Sequence, residues 1–158
     1  MELKIATIGD AKLLFDWAND VEVRQMALNQ REISWEQHID WFQRKLNDSR
    51  TFIYIAYDQA EPVGQIRFDL DEFGDAEVDV HIRPGSRARG FGTLLIKLGV
   101  NKMRAKIELN EIHAHIKQHN VKSIKAFEKA GFLFRGMLEE NNISCVHLVN
   151  KRSVQRNL

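Results

Sequence analysis

The chain has a single cysteine, two prolines and no repeated or low-complexity tract in its 158 residues. One cysteine, Cys145, excludes an internal disulfide, so no part of the fold depends on an oxidising compartment. Two prolines beside nine glycines exclude a collagen-like chain and a proline-rich disordered one. An excess of one charge is also missing. With 23 Lys and Arg against 22 Asp and Glu, no global field draws the chain toward nucleic acid or an anionic membrane, and any anion site must be local. No window approaches the roughly 18 apolar residues of a membrane span. The opening Met1-Glu2-Leu3-Lys4-Ile5 lacks the basic stretch and apolar run of a signal peptide, and a reducing, cytoplasmic setting is expected.

What is present is a globular balance, 44% hydrophobic and 28% charged, in a length that suits one core. A single domain over residues 1–158 is expected. Residues 3–6 read as a short strand. Asp10 then offers an N-cap to a helix carrying Leu13, Leu14 and Trp17, and the chain turns at Asn19-Asp20. Ser34, with Gln37 three residues on, forms a capping box for a helix that buries Ile39, Phe42 and Leu46. Residues 51–57 and 63–70 are β-branched and aromatic runs separated by a turn, and residues 76–82 alternate with period two, so a three-strand meander is expected. After Pro84 and a glycine-containing loop, residues 93–106 carry a helical apolar stripe. Residues 112–117 alternate again, Asn120 opens a helix stopped at Gly131, and residues 132–134 and 145–148 supply two last strands. Cys145 lies in that final alternating run and reads as a packed strand residue. The order of elements is that of a mixed α/β domain.

The loop Ile82-Arg83-Pro84-Gly85-Ser86-Arg87-Ala88-Arg89-Gly90-Phe91-Gly92-Thr93 runs from a strand into a helix. Helix-start amides lack intrahelical partners and carry the positive end of the helix dipole, so they can hold an anion. Glycines at 90 and 92 let a phosphate approach the backbone, and Arg87 and Arg89 add positive charge. Helix packing alone can also require glycine there. The loop lacks the Lys-Ser/Thr ending of a P-loop and the third glycine of a dinucleotide fingerprint.

Two blocks together carry a resemblance. Arg87-x-x-Gly90-x-Gly92 resembles the Q/R-x-x-G-x-G/A motif of the Gcn5-related N-acetyltransferases (GNAT), with Ile82-x-Pro84 at the family's V-x-P strand end. Asn120-x-x-Ser123…Phe127-x-x-x-Gly131-Phe132 is similar to its N-x-x-S/A…Y/F-x-x-x-G-F segment. The resemblance spans nearly the whole chain. It implies a mostly antiparallel sheet of about seven strands, splayed between strands 4 and 5 and flanked by about four helices. It also implies acetyl-CoA as cosubstrate. The pyrophosphate would rest on Arg87, Ala88, Arg89, Gly90, Phe91, Gly92 and Thr93, the pantetheine arm would pair with Val80 and Ile82, and Asn120, Ser123 and Phe127 would complete the cofactor site.

Transfer to an amine requires a neutral nucleophile aligned on the thioester and a donor for the oxyanion, here an amide near His81 or Ile82; no covalent intermediate is required. Glu77, Asp79 and His81 project to one side of their strand by alternation and are the candidate bases, Glu77 first because relatives carry a Glu near it. Each also fits a solvated strand face. Many relatives have Tyr where this chain has Phe127, so the proton for the departing thiolate is unassigned. His113 and His115 form an H-x-H pair without a further Asp, Cys or His at ligand-like spacing, and no metal is expected.

The acceptor is expected to be a small-molecule amine. Trp17-x-Asn19-Asp20-x-x-Val23-Arg24, with Trp35, His38 and the Gly64–Asp69 run, resembles two branches of the family. One acetylates amino-sugar nucleotides of the pseudaminic-acid type, and the other acetylates protein N-termini, ribosomal ones included. The resemblance to the amino-sugar branch is closer and implies contacts from Asn19, Arg24, Trp35, His38 and Arg67, with an arginine on the diphosphate. The tryptophans at helical spacing also fit a core. A silent acyl-CoA sensor is the alternative of another class. Exposed strand edges leave monomer or homodimer open.

Overall fold

The computed structural model describes residues 1–152. The strands are β1 (Glu2–Ile5), β2 (Thr51–Asp58), β3 (Glu61–Leu70), β4 (Ala76–Ile82), β5 (Glu111–Lys117), β6 (Leu133–Glu140) and β7 (Ile143–Lys151); the helices are α1 (Ala11–Ala18), α2 (Val21–Met26), α3 (Trp35–Asn47), α4 (Phe91–Lys106) and α5 (Val121–Lys129). One seven-stranded sheet runs in the order β1-β2-β3-β4-β5-β7-β6, antiparallel except for β4 against β5. That parallel pair holds only at Ala76↔Ile112 and Glu77↔His113, beyond which the two strands part. The expected splay lies there.

The helix count differs from the expected four. Residues 21–26 form α2, whose N-cap Asp20 accepts the Val23 amide at 3.3 Å. Its six residues bury no side chain, so it leaves no apolar period in the sequence. Asp10 also behaves differently. Its carboxylate accepts from the Thr7 amide at 2.8 Å, closing a 3-10 turn before α1, and does not cap the helix. The box at Ser34 is present, with Gln37 N donating to Ser34 Oγ and Ser34 N to Gln37 Oε1, both at 3.2 Å.

Alternation divides the sheet's two faces. Ile66, Phe68, Ala76, Val78, Ile112, Ala114, Val146 and Leu148 pack with α4 and α5 in the larger core. Gly99 of α4 lets the helix approach closely: a Cβ there would stand 2.5 Å from Ile66 Cδ1. On the opposite face α1 and α3 cover β2, burying Leu14, Trp17, Phe42, Ile53 and Ile55 in a smaller core. Beyond those helices the same face carries Glu77, Asp79 and His81 of β4, Glu111, His113 and His115 of β5, and His147 of β7. Those side chains alternate with core residues, and the strip they form is polar.

Candidate active site

Gly90 caps α4 with φ of +77°, the left-handed conformation that glycine adopts without strain, and a Cβ on it would meet nothing within 4 Å. Ala88 beside it also has a positive φ, +60°. The first amide of the α4 entry to find a backbone acceptor is Leu94, bonded to Gly90 O at 3.2 Å. Among the described residues no backbone carbonyl accepts from the amides of 88–93. An open bowl of unpaired donors at a helix start fits a pyrophosphate.

The charge expected of Arg87 is already paired. Its guanidinium donates to Asp20 Oδ1 at 2.5 Å, to Glu22 Oε2 at 2.7 Å and to Ile82 O at 3.2 Å. Burial opposes ionisation of Asp20, but Arg87 and the Val23 amide outweigh it and hold the carboxyl below its usual range. Arg89 lies over the Phe91 ring, 4.7 Å from its centroid.

The splay exposes one edge of β4. Arg83 N donates to Val63 O of β3, so by alternation Val80 and Ile82 turn N–H and C=O away from β3, to the open side. An arm could pair there, and the amides of Val80 and Ile82 face the opening; the amide of His81 points to β3. Across the opening, Asn120 Oδ1 accepts Ser123 N at 3.3 Å and so caps α5. Phe127 is buried edge-on against Phe132, centroids 4.9 Å apart, and presents no open surface to a cofactor.

Asp79 and His81 stand side by side on the polar face, Oδ2 to Nε2 3.5 Å, with Gln65 Nε2 3.5 Å from His81 Nδ1. Arg67 lies 3.7 Å from Asp79, bonds Asp69 at 2.8 Å and sits over the Trp41 ring. Burial works against ionised Asp79, yet His81 when protonated, and the permanent charge of Arg67, lower its pKa. Burial also lowers His81, offset only in part by Asp79. The result is an ionised carboxylate beside a neutral imidazole. Glu77, nearer the closed end of the splay, is mostly exposed, 3.6 Å from His115 Nδ1. Glu140 of β6 reaches the same nitrogen at 3.5 Å, and its Oε2 is buried without a hydrogen bond.

Of the expected acceptor contacts, His38 does not face the site. It is 3% exposed, stacks on Phe42 and donates from Nε2 to Ala11 O at 2.8 Å, so it belongs to the core. Asn19 exchanges two bonds with Ile33, tying the segment after α2 to α1. Arg24 is spent on the carbonyls of Ala18 and Asn29. Trp35 remains partly exposed against Phe15. Lys117, buried at the end of β5, donates to Gln25 O at 3.0 Å, so α2 is held from both sides of the splay, by Arg87 and by Lys117. Asp20, Glu22, Gln65, Lys117 and Glu140 were not among the expected site residues; of these, Asp20 and Gln65 stood inside quoted motifs.

A family model described as an acetyltransferase (GNAT) domain matches residues 1–133. The chain belongs to that family. Solved structures of similar fold include aminoglycoside acetyltransferase AAC(6')-Ib in complex with coenzyme A and kanamycin (TM-score 0.83, 20% identity, 95% of this chain and 94% of that one). Others are spermidine N-acetyltransferase from Vibrio cholerae with CoA and spermine (0.86, 17%, 96% and 95%) and ribosomal-protein-alanine N-acetyltransferase from Brucella melitensis (0.81, 20%, 96% and 100%). Among curated proteins no sequence matches this chain. As a GNAT protein the chain is an acetyl-CoA-dependent N-acetyltransferase. Its sheet, splayed at β4 and β5, is the GNAT sheet. None of its helices among the described residues is long and apolar enough to cross a membrane.

Proposed function

We propose that the chain moves the acetyl group of acetyl-CoA directly onto a primary amine of a small acceptor that carries further positive charge. The observation behind this reading is the charge of the acceptor face. Glu77 and Glu140 offer carboxylates beside His115, whereas the two arginines a diphosphate would need are occupied, Arg24 by backbone carbonyls and Arg67 by Asp69 and Asp79. An amino-sugar nucleotide would have to break one of these sets. The resemblance of residues 17–24 keeps that acceptor as the rival.

In the reaction, the acetyl-CoA pyrophosphate is held by the amides of 88–93 and the arm pairs with Val80 and Ile82. The acceptor ammonium loses its proton to the Asp79–His81 pair. A neutral imidazole beside a fixed carboxylate is a better proton acceptor than an exposed Glu77, because the carboxylate stabilises the imidazolium that forms. Glu77 then serves to attract the cation. The amine attacks the thioester carbonyl, an amide of Val80 or Ile82 holds the oxyanion, and the intermediate collapses with loss of CoA thiolate while the amine's second proton passes to solvent. With Phe127 in place of a hydroxyl, the thiolate leaves without a phenolic proton, which a thiol of pKa about 8.5 allows near neutrality.

The test is a panel of polyamines, aminoglycosides, amino-sugar nucleotides and N-terminal peptides, incubated with acetyl-CoA while free thiol is followed. Thiol release with the cationic amines is expected. Release with a sugar nucleotide alone, or with a peptide alone, would overturn the acceptor assignment.

A further inference from the structure

We propose that Asp75, Glu111 and His113 form a binding site for one divalent transition-metal ion at the closed end of the splay, with His147 as its positioning residue. This goes beyond acetyl transfer, since the cluster sits at the start of β4 and the cofactor loop follows its end.

The three residues offer one donor atom each, all within 4.8 Å of one another. His113 Nε2 lies 3.2 Å from Asp75 Oδ2 and 3.6 Å from Glu111 Oε2. Ligands bound about 2.0–2.1 Å from a tetrahedral zinc ion stand about 3.3 Å apart, close to the two separations at His113 Nε2. A His with two carboxylates suits zinc or its neighbours better than magnesium or calcium, which prefer oxygen alone.

The donors are also oriented. Asp75 Oδ1 accepts the Glu111 amide at 3.1 Å, which turns Oδ2 toward His113. Asp71 accepts the amides of Phe73 and Asp75, fixing the turn that carries Asp75. In the ion-free chain His113 Nε2–H donates to Asp75 Oδ2 at 3.2 Å; an ion would replace that proton, with Nδ1–H then donating to His147 Nε2, 2.9 Å away, an outer-shell arrangement typical of metal histidines. Glu111 is the contested ligand, because Arg135 grips it at 2.6 and 2.8 Å and Lys151 approaches to 3.4 Å. Arg135 lies on the edge strand β6 and can withdraw into solvent. Sequence spacing hid the site: Asp75 is 38 residues from His113, and His147 is 34.

An ion there would tie β4 to β5 at the only two positions where they pair. The test uses the full chain without a histidine tag, titrated with Zn2+ by calorimetry and with Co2+ by visible absorption. One Zn2+ per chain, a raised Tm and the intense visible band of tetrahedral Co2+ are expected. His113→Ala and Asp75→Asn should each weaken binding more than about 10-fold, and His147→Gln by about 10-fold, the usual range for an outer-shell partner. Arg135→Ala, which frees Glu111, should strengthen it. No stoichiometric ion, equal binding by His113→Ala and Asp75→Asn, or only the weak band of octahedral Co2+ would overturn the proposal. The wild-type cobalt spectrum decides even where a variant fails to fold.

Discussion

His81 and His38 are both held neutral by burial, for different ends. His38 is closed into the α1–α3 core with its Nε2–H on Ala11 O, and its pKa is lowered because charging it there would cost solvation. Its folded pKa lies below the unfolded value near 6.5, so its contribution to stability is present above about pH 6.5 and is lost as pH falls through the folded pKa. Replacing it by Phe should flatten the pH dependence of Tm between about pH 6.5 and 5 at the loss of one buried hydrogen bond to Ala11 O, a cost of about 0.5–1.5 kcal/mol by thermal melts at pH 8. His81 has the same sign, but its readout is catalytic. Activity should rise with pH through a value below about 6.5 as the imidazole becomes neutral, and His81→Gln should remove that limb of the kcat/KM profile and cut the rate about 100-fold or more. Glu77→Gln should act mainly on KM. At Arg87 the competition runs between charges: Asp20→Asn with Glu22→Gln releases the guanidinium toward a pyrophosphate, and acetyl-CoA affinity should rise about five-fold by calorimetry, equivalent to about 1 kcal/mol. Unchanged affinity would mean that Arg87 never turns to the phosphates.

At the scale of elements, the turn into α4 and the β3–β4 pair decide the site. Gly90 combines a left-handed backbone with open space, so Gly90→Val strains the loop by about 1–2 kcal/mol and projects a side chain into the phosphate bowl. Gly92 has only ordinary contacts around a Cβ, 3.8 Å from Ala126 and 3.9 Å from Ile82. The double change to Val should lower acetyl-CoA affinity strongly while the far-UV circular dichroism stays that of the folded chain. Gly64 differs, because a Cβ there would lie 2.5 Å from the His81 carbonyl, and Gly64→Ala must push β3 from β4 beside Asp79 and His81. It should cost about 1–3 kcal/mol in chemical denaturation. The strands with strict alternation and the loop flanked by glycines were readable because a period of two and a helix start each leave a local mark. α2 left none, being short and without a buried face. β6 was expected to stop at residue 134 but continues to Glu140, since an edge strand with no fully buried residue has no clear apolar alternation to announce it. The site was legible where neighbours in sequence are neighbours in space, as in Asp79 and His81. It was not legible where ion pairs join Arg87 to residues 65 and 67 positions away.

For the molecule as a whole, α2 belongs to both halves of the sheet. Its N-terminal end is tied to the cofactor loop through Arg87 and its C-terminal end to β5 through Lys117. Lys117→Met keeps the stem and removes the bond to Gln25 O. The acceptor KM should then rise several-fold, with little change in acetyl-CoA affinity, and hydrogen exchange should quicken in residues 21–33; unaltered exchange would assign Lys117 to local packing alone. The parting of β4 from β5 after two residue pairs has a mechanical consequence. The closed end is a fulcrum, and the six residues from Glu77 to Ile82, five steps along the strand, form an arm of about 16 Å. A slight rotation at Ala76, buried at the pivot, is magnified along that arm to the edge where the pantetheine is expected to pair. Ala76 is therefore a place where a methyl group or two could set the gap across which the thioester meets the amine, without touching either.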